Sequence, residues 1–224
     1  MLRTSGRRGS DRRAWAFALI SMAAFALATP MGARAQATGQ PGGELIFNGD
    51  AEADVGAASN SEIVKPTGWV TTGEFTAVRY GASGGFPDAN APGPDQRGSN
   101  FFAGGNAAVS TATQTIDLAA YGPLIAKGAA HFDLSGWLGG FEAQADAASV
   151  RLIFKDAAGA PIPGVAILAP VGPEHRRRVT GLLRREVTGV VPPRARSAEV
   201  SITITRREGT YNDGSVDNLS LVVN

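Results

Sequence analysis

In the stretch Glu199-Val200-Ser201-Ile202-Thr203-Ile204-Thr205-Arg206 every second residue is aliphatic. Val200, Ile202 and Ile204 share one face of an extended chain, and Ser201, Thr203 and Thr205 share the other. A helical period would scatter both sets around a cylinder, so the pattern predicts a half-buried strand. The alternation returns in Val150, Leu152 and Phe154, opposite Arg151, Ile153 and Lys155. It returns again in Phe132, Leu134, Gly136 and Leu138, opposite His131, Asp133, Ser135 and Trp137. Further β-rich runs at 45–47, 75–80, 109–118, 165–168, 185–191 and 215–223 are bounded by Gly, Pro, Asp or Asn. Strands with one apolar and one polar face, joined by turns such as 156–159 and Glu208-Gly209, predict antiparallel sheets packed through their apolar faces. A single all-β, antiparallel β-sandwich accounts for residues 44–224, and the Gly- and Pro-rich segment 81–98 reads as a long loop.

The remainder of the chain reads differently. Arg3, Arg7, Arg8, Arg12 and Arg13 precede the apolar stretch 14–28, and Ala33-Arg34-Ala35 is a small-x-small cleavage site. Residues 1–35 are thus expected to be a signal peptide, with residues 36–43 a flexible lead-in. The apolar stretch is short for a membrane span. Sec and twin-arginine export both remain open, and the expected location is secreted or periplasmic, without membrane insertion after cleavage. The leader carries six of the 21 basic and one of the 20 acidic side chains, so the mature balance is 15 to 19. A mildly acidic protein gives no electrostatic reason to expect nucleic acid as a partner. There is no cysteine, which excludes disulfides and thiolate metal sites.

Two acidic signatures flank the sandwich: Asn48-Gly49-Asp50-Ala51-Glu52 and Tyr211-Asn212-Asp213-Gly214-Ser215-Val216-Asp217-Asn218. Uninterrupted alternation gives Asp217 the parity of Leu219, Leu221 and Val223, so its carboxylate is expected to face the core and to need a partner. A calcium ion held by Asp217 and Glu52 would neutralise it and join the first strand to the last. The alternative is that both carboxylates cap turns by accepting backbone N–H groups. An EF-hand is excluded, because Val55 and Ser61 stand where that loop needs glycine and glutamate.

These motifs, together with Gly68-Trp69, Gln114-Thr115-Ile116-Asp117-Leu118 and Leu134-Ser135-Gly136-Trp137, resemble bacterial exported domains of the galactose-binding-like class, jelly-roll sandwiches. They are similar to F-box-associated-type sugar-binding domains and to calcium-carrying carbohydrate-binding modules. The resemblance implies a structural calcium held by the Asp50 carbonyl, Glu52 and Asp217, with a further carbonyl from residues 98–100.

Trp137, Asp133, Ser135, Arg151, Lys155, Thr203 and Thr205 all have the polar parity of their strands. If those strands are neighbours, they form one polar face carrying a tryptophan, a surface suited to sugar. Trp137, Asp133, Arg151 and Thr203 are its candidate carbohydrate contacts; the alternative is that Trp137 packs under a loop. Trp69 reads as core. Gly81-Ala82-Ser83-Gly84-Gly85 matches the G-x-S-x-G string of serine hydrolases, but Pro87, Pro92 and Pro94 deny it the helix that motif requires, and no catalytic residue is assigned. His131 and His175 read as surface residues, and the arginines at 176–178 and 184–185 as a solvated loop and strand edge, or as a contact for acidic polysaccharide. The expected function is non-catalytic binding of carbohydrate or a cell-surface glycan. A structural or adhesive envelope protein that binds protein is the alternative, with a small hydrolase third.

Overall fold

The computed structural model describes residues 42–224 and a two-residue strand, β1 (Arg34–Ala35). Apart from these, the expected leader and lead-in lie outside the described residues. The remaining strands are β2 (Ala57–Ser59), β3 (Val70–Thr72), β4 (Thr76–Ser83), β5 (Asn100–Ala103), β6 (Val109–Asp117), β7 (His131–Gly140), β8 (Ala147–Lys155), β9 (Ala166–Leu168), β10 (Gly181–Val190), β11 (Ser197–Thr205) and β12 (Ser215–Val223). One sheet runs β1-β6-β11-β8-β9, with β3 also on β6, and the other runs β10-β7-β12-β5-β4-β2. Pairing is antiparallel except for β1 on β6 and β2 on β4. The all-β antiparallel sandwich is therefore as expected.

The alternating residues build the core between the sheets. Val200, Ile202, Ile204, Val150 and Leu152 come from one side, and Leu134, Leu138, Leu219, Leu221 and Val223 from the other, all buried in one cluster. Each such side chain contributes about 1.5–3 kcal/mol on burial, which sets the face of every strand. Trp69 is core, as expected: its ring meets Phe102 edge-on at 5.9 Å and its Nε1 donates to the Asn48 carbonyl at 3.0 Å. A smaller cluster of Val78, Phe101, Ala103 and Tyr211 lies outside this core, and Phe86 from the long loop packs onto it.

Three short strands escape the sequence pattern. Asn100–Ala103 is buried at every residue, with Phe102 in the main core and Phe101 in the smaller cluster, so it has no polar face to alternate. Strands β2 and β3 have three residues each, too few to display a period. A single helical turn pair, Ala119–Tyr121 and Gly122–Ala126, bridges β6 and β7, with proline in its first turn and Ile125 buried.

The beginning of the described chain lies along the last strand. Gly42 N–H donates to the Val223 carbonyl at 3.1 Å and Leu45 N–H to that of Leu221 at 2.9 Å, while Leu219 N–H donates to Gly49 at 2.9 Å. Glu44 reinforces this seam, its Oε1 accepting the N–H groups of Leu45, Ile46 and Leu221 at 2.8–2.9 Å. Gly49 is required there, because a Cβ would lie 1.9 Å from the Leu219 carbonyl oxygen.

Candidate functional site

The four expected sugar contacts divide between the sheets. Trp137 and Asp133 are on β7, whereas Arg151 is on β8 and Thr203 on β11, in the opposite sheet. All four have the polar parity expected, yet the two pairs occupy opposite outer surfaces of the sandwich. Alternation tells which side chains avoid the core but not which sheet a strand joins, so the expectation of one shared face is corrected. Thr203 belongs instead to a hydroxyl row, in register with Thr111 and Ser149 on its neighbours, and Thr111 is itself in register with Thr72.

Around Trp137 the register brings together polar groups from three strands. Arg184 of β10 and Asp217 of β12 flank it, Glu186 and Ser220 flank Ser135, and Thr188 and Val222 flank Asp133. Trp137 is partly exposed and Asp133 exposed. Arg184 is ion-paired with Glu186. The loop 84–99 borders this face and is well tied. Arg97 donates to the carbonyls of Asp88, Ala91 and Pro94 at 3.0–3.1 Å and lies 5.1 Å over the Tyr80 ring. The Pro92 carbonyl accepts from Leu182 N–H at 2.8 Å, fixing the loop to the start of β10.

Asp217 is fully buried, but not by facing the core. A bulge between Asp217 and Ser220 interrupts the alternation, with Asn218 in the left-handed region at φ 45°. Asp217 therefore stands opposite Trp137, on the outer side of the sheet, while Leu219 and Leu221 remain inside. Its carboxylate accepts from the Tyr80 hydroxyl and the Asn218 N–H, each at 2.7 Å. Burial, with smaller contributions from the charges of Asp50 and Glu52, raises its pKa to about 7 despite these two bonds. The Tyr80 hydroxyl is pushed far above its ordinary value by burial and by Asp217. Glu52 Oε1 accepts the N–H groups of Ser99 and Asn100, both at 2.7 Å, the capping role given above as the alternative. Among the described residues no group of three His, Cys, Asp or Glu side chains is gathered as a metal shell. The oxygen donors suit calcium chemically, and Asp217 feels the charges of two further carboxylates, Asp50 and Glu52.

A second polar cluster, which the sequence did not signal, ties the loops at one end of the sandwich. Arg176, read from sequence as solvated, is only 3% exposed. Its Nη1 donates to the carbonyls of Glu142 and Val179 at 2.8 and 2.6 Å, and its Nη2 to that of Gln144 at 3.1 Å. Asp146 is fully buried and accepts N–H groups from Arg207, Glu208 and Asp213. Burial and the charge of Asp146 raise the Asp213 pKa to about 7, with Arg176 opposing them. Nothing marks Asp146, and the arginine run 176–178 does not tell which member is buried; the partners of both side chains are backbone groups brought in by folding. Ser83 ends β4 and leads into the turn at Gly84-Gly85, its Oγ lying 3.5 Å from the Ala58 carbonyl, so the G-x-S-x-G string forms no strand-to-helix elbow.

No family model matches the sequence, and no curated protein matches it. Among solved structures, the enzymatically active domain of bacteriophage CBA120 tailspike protein 4 aligns with a TM-score of 0.48 at 16% identity, over 81% of this chain. This chain spans 21% of that one. TmCBM61 in complex with β-1,4-galactotriose gives 0.43 at 14% identity, over 70% of this chain and 90% of that one. The CBM22-1 xylan-binding domain of Paenibacillus barcinonensis Xyn10C gives 0.41 at 10% identity, over 74% and 90%. All three scores are below 0.5.

Proposed function

We propose that this protein is an exported, non-catalytic module that binds carbohydrate on the outer face of the β10-β7-β12 strands. The observation that carries the reading is Trp137: a partly exposed indole at the centre of a sheet face whose neighbours Arg184, Glu186, Ser135, Asp133 and Thr188 are all polar. An indole covers the C–H side of a sugar ring, and charged and hydroxyl groups bond its O–H groups. Arg151 and Thr203 have no part in this face. Export rests on the basic, apolar and small-residue sequence of residues 1–35. A glycan array probed with the protein from residue 36 onward is expected to give a defined set of bound sugars, lost in Trp137→Ala at unchanged melting temperature. Retention of the same sugars by that variant would dismiss this face.

We also propose calcium at the Asp50, Glu52 and Asp217 corner, in a structural role. The support is the oxygen-only donor set and the raised pKa of Asp217, which a cation would reverse. Calcium is expected to raise the wild-type melting temperature and to leave that of Asp217→Ala unmoved; equal curves with calcium and with chelator in the wild type would remove the ion from the reading. A second reading, an envelope protein that binds protein, draws on a groove of about 310 Å³ beside β9 and β10. Val165 and Val190 on its rim are 45% and 51% exposed. Light scattering that finds complexes with envelope proteins but no glycan ligand would favour it.

A further inference from the structure

Beside the start of β10, the loop 84–99 and the segment 172–180 enclose a cavity of about 320 Å³. Pro92, Val179 and Leu183 give it apolar walls, and His175, Arg176 and Arg177 give it basic ones. Three features set it apart from a gap between loops. Arg176 is a buried residue, and beyond the three carbonyl bonds of its Nη atoms the Nε has no hydrogen-bond partner among the described residues. Arg177 and Arg178 stand consecutively in the left-handed region, at φ 54° and 59°, a conformation costly for residues with a Cβ. The turn is held in it by the Arg178 N–H donating to the Pro173 carbonyl at 2.8 Å. His175 Nδ1 accepts from Gly172 N–H at 3.2 Å, which leaves the ring proton on Nε2 as a donor.

The charges there are not equivalent. Arg178 is paired with Glu174 and Arg184 with Glu186, and Asp213 is the carboxylate nearest in effect to Arg176. Arg177, exposed, has no ion-pair partner among the described residues. A cavity at the lower end of the usual range of about 300–1,000 Å³ holds one ring rather than a chain. Its wall residue Leu183 is in register with Leu138 and has the opposite parity to Arg184 and Trp137, so the cavity lies at the β10 edge of the sheet, next to the tryptophan face in sequence but not on it.

We infer that this cavity receives the carboxylate of a uronic acid residue, gripped by Arg177 and His175 with its ring against Pro92 and Val179, making the module selective for acidic polysaccharide. The planar guanidinium fork matches a carboxylate in geometry as well as charge, whereas a sulfate ester offers the same charge in a tetrahedral arrangement. The inference rests on the carbohydrate reading and adds a ligand class to it.

The test is titration calorimetry of the protein from residue 36 onward against polygalacturonate, its fully methyl-esterified form and dextran sulfate, beside the neutral glycans of the array. Arg177→Gly removes the side chain at a backbone angle that glycine favours, and Arg177→Lys keeps the charge without the fork. Polygalacturonate is expected to bind, the methyl ester at least about tenfold more weakly, with a comparable loss in Arg177→Gly and only partial rescue in Arg177→Lys. Equal binding of acid and ester, unaffected by Arg177→Gly, overturns the inference and leaves the Trp137 face standing. Tighter, Arg177-dependent binding of dextran sulfate overturns the choice of carboxylate. No binding of any glycan, acidic or neutral, overturns this inference and the carbohydrate reading together.

Discussion

Arg176→Met keeps most of the side chain's apolar volume and removes every N–H donor. In the wild type those donors serve three backbone carbonyls, of Glu142 and Gln144 in the β7–β8 connection and of Val179 before β10. A hydrogen bond to a charged group contributes about 1.5–3 kcal/mol. The three do not simply sum, because burial penalises the cation itself and lowers the Arg176 pKa. Each buried carbonyl left without its donor costs about 1–3 kcal/mol, and with the cation's own burial penalty relieved the expected loss is about 3–5 kcal/mol. With a urea slope of about 2 kcal/mol per molar, the midpoint should fall by roughly 2 M at constant slope. Tryptophan fluorescence and circular dichroism, followed in parallel, report it. A shift corresponding to less than about 1 kcal/mol would refute the view that this guanidinium, rather than the apolar core beneath, holds the loop end together.

Two further outcomes follow from the carboxylates of Asp213 and Glu44. Asp213 has a folded pKa raised from an ordinary 3.8 to about 7, so the folded state binds its proton more tightly than the unfolded state, and the stabilisation present below about pH 4 is lost as the pH rises through 7; Asp213→Asn should flatten part of the fall in melting temperature across that window, and a wild-type profile superimposable on the mutant's would contradict the assignment. Glu44→Ala leaves three N–H groups of the terminal seam without their carboxylate, although Leu45 keeps its bond to Leu221; a loss of about 1–3 kcal/mol in the same denaturation assay is expected, and no loss would mean that water replaces the carboxylate fully.

How far the sequence could be read depended on whether a feature was local. Strands β8, β11 and β7 declared themselves because each buries one face, and β12 was placed residue for residue at Ser215–Val223. Its bulge was not legible: a left-handed Asn218 shifts parity by one, and nothing in Asp217-Asn218-Leu219 distinguishes that from continued alternation. The result is a carboxylate that was expected to be buried, and is, on the face opposite to the expected one. Arg151 and Thr203 were misplaced for a different reason, since sheet membership is decided by pairing partners far away in sequence. The seam at Glu44 and the knot at Arg176 were invisible because each side chain is satisfied by backbone groups, which carry no residue identity. The acidic motif at 48–52 was legible as an acidic signature but not as the turn it forms, in which Asn48 and Ala51 have φ of 52° and 61° and the Asn48 side chain bonds Ala53, Asp54 and Thr67.

The antiparallel seam between the start of the described chain and β12 has a mechanical consequence. Gly42 and Asn224 lie at the same end of it, so tension applied to those two residues loads the bond from Gly42 to Val223 first, then that from Leu45 to Leu221, and last that between Leu219 and Gly49. Bonds broken in sequence yield at lower force than bonds sheared together. A module anchored through these two points would peel open along one side under load while the β6-β11-β8 strands stayed paired, and a single-molecule extension trace should show that release as a small step preceding rupture of the rest.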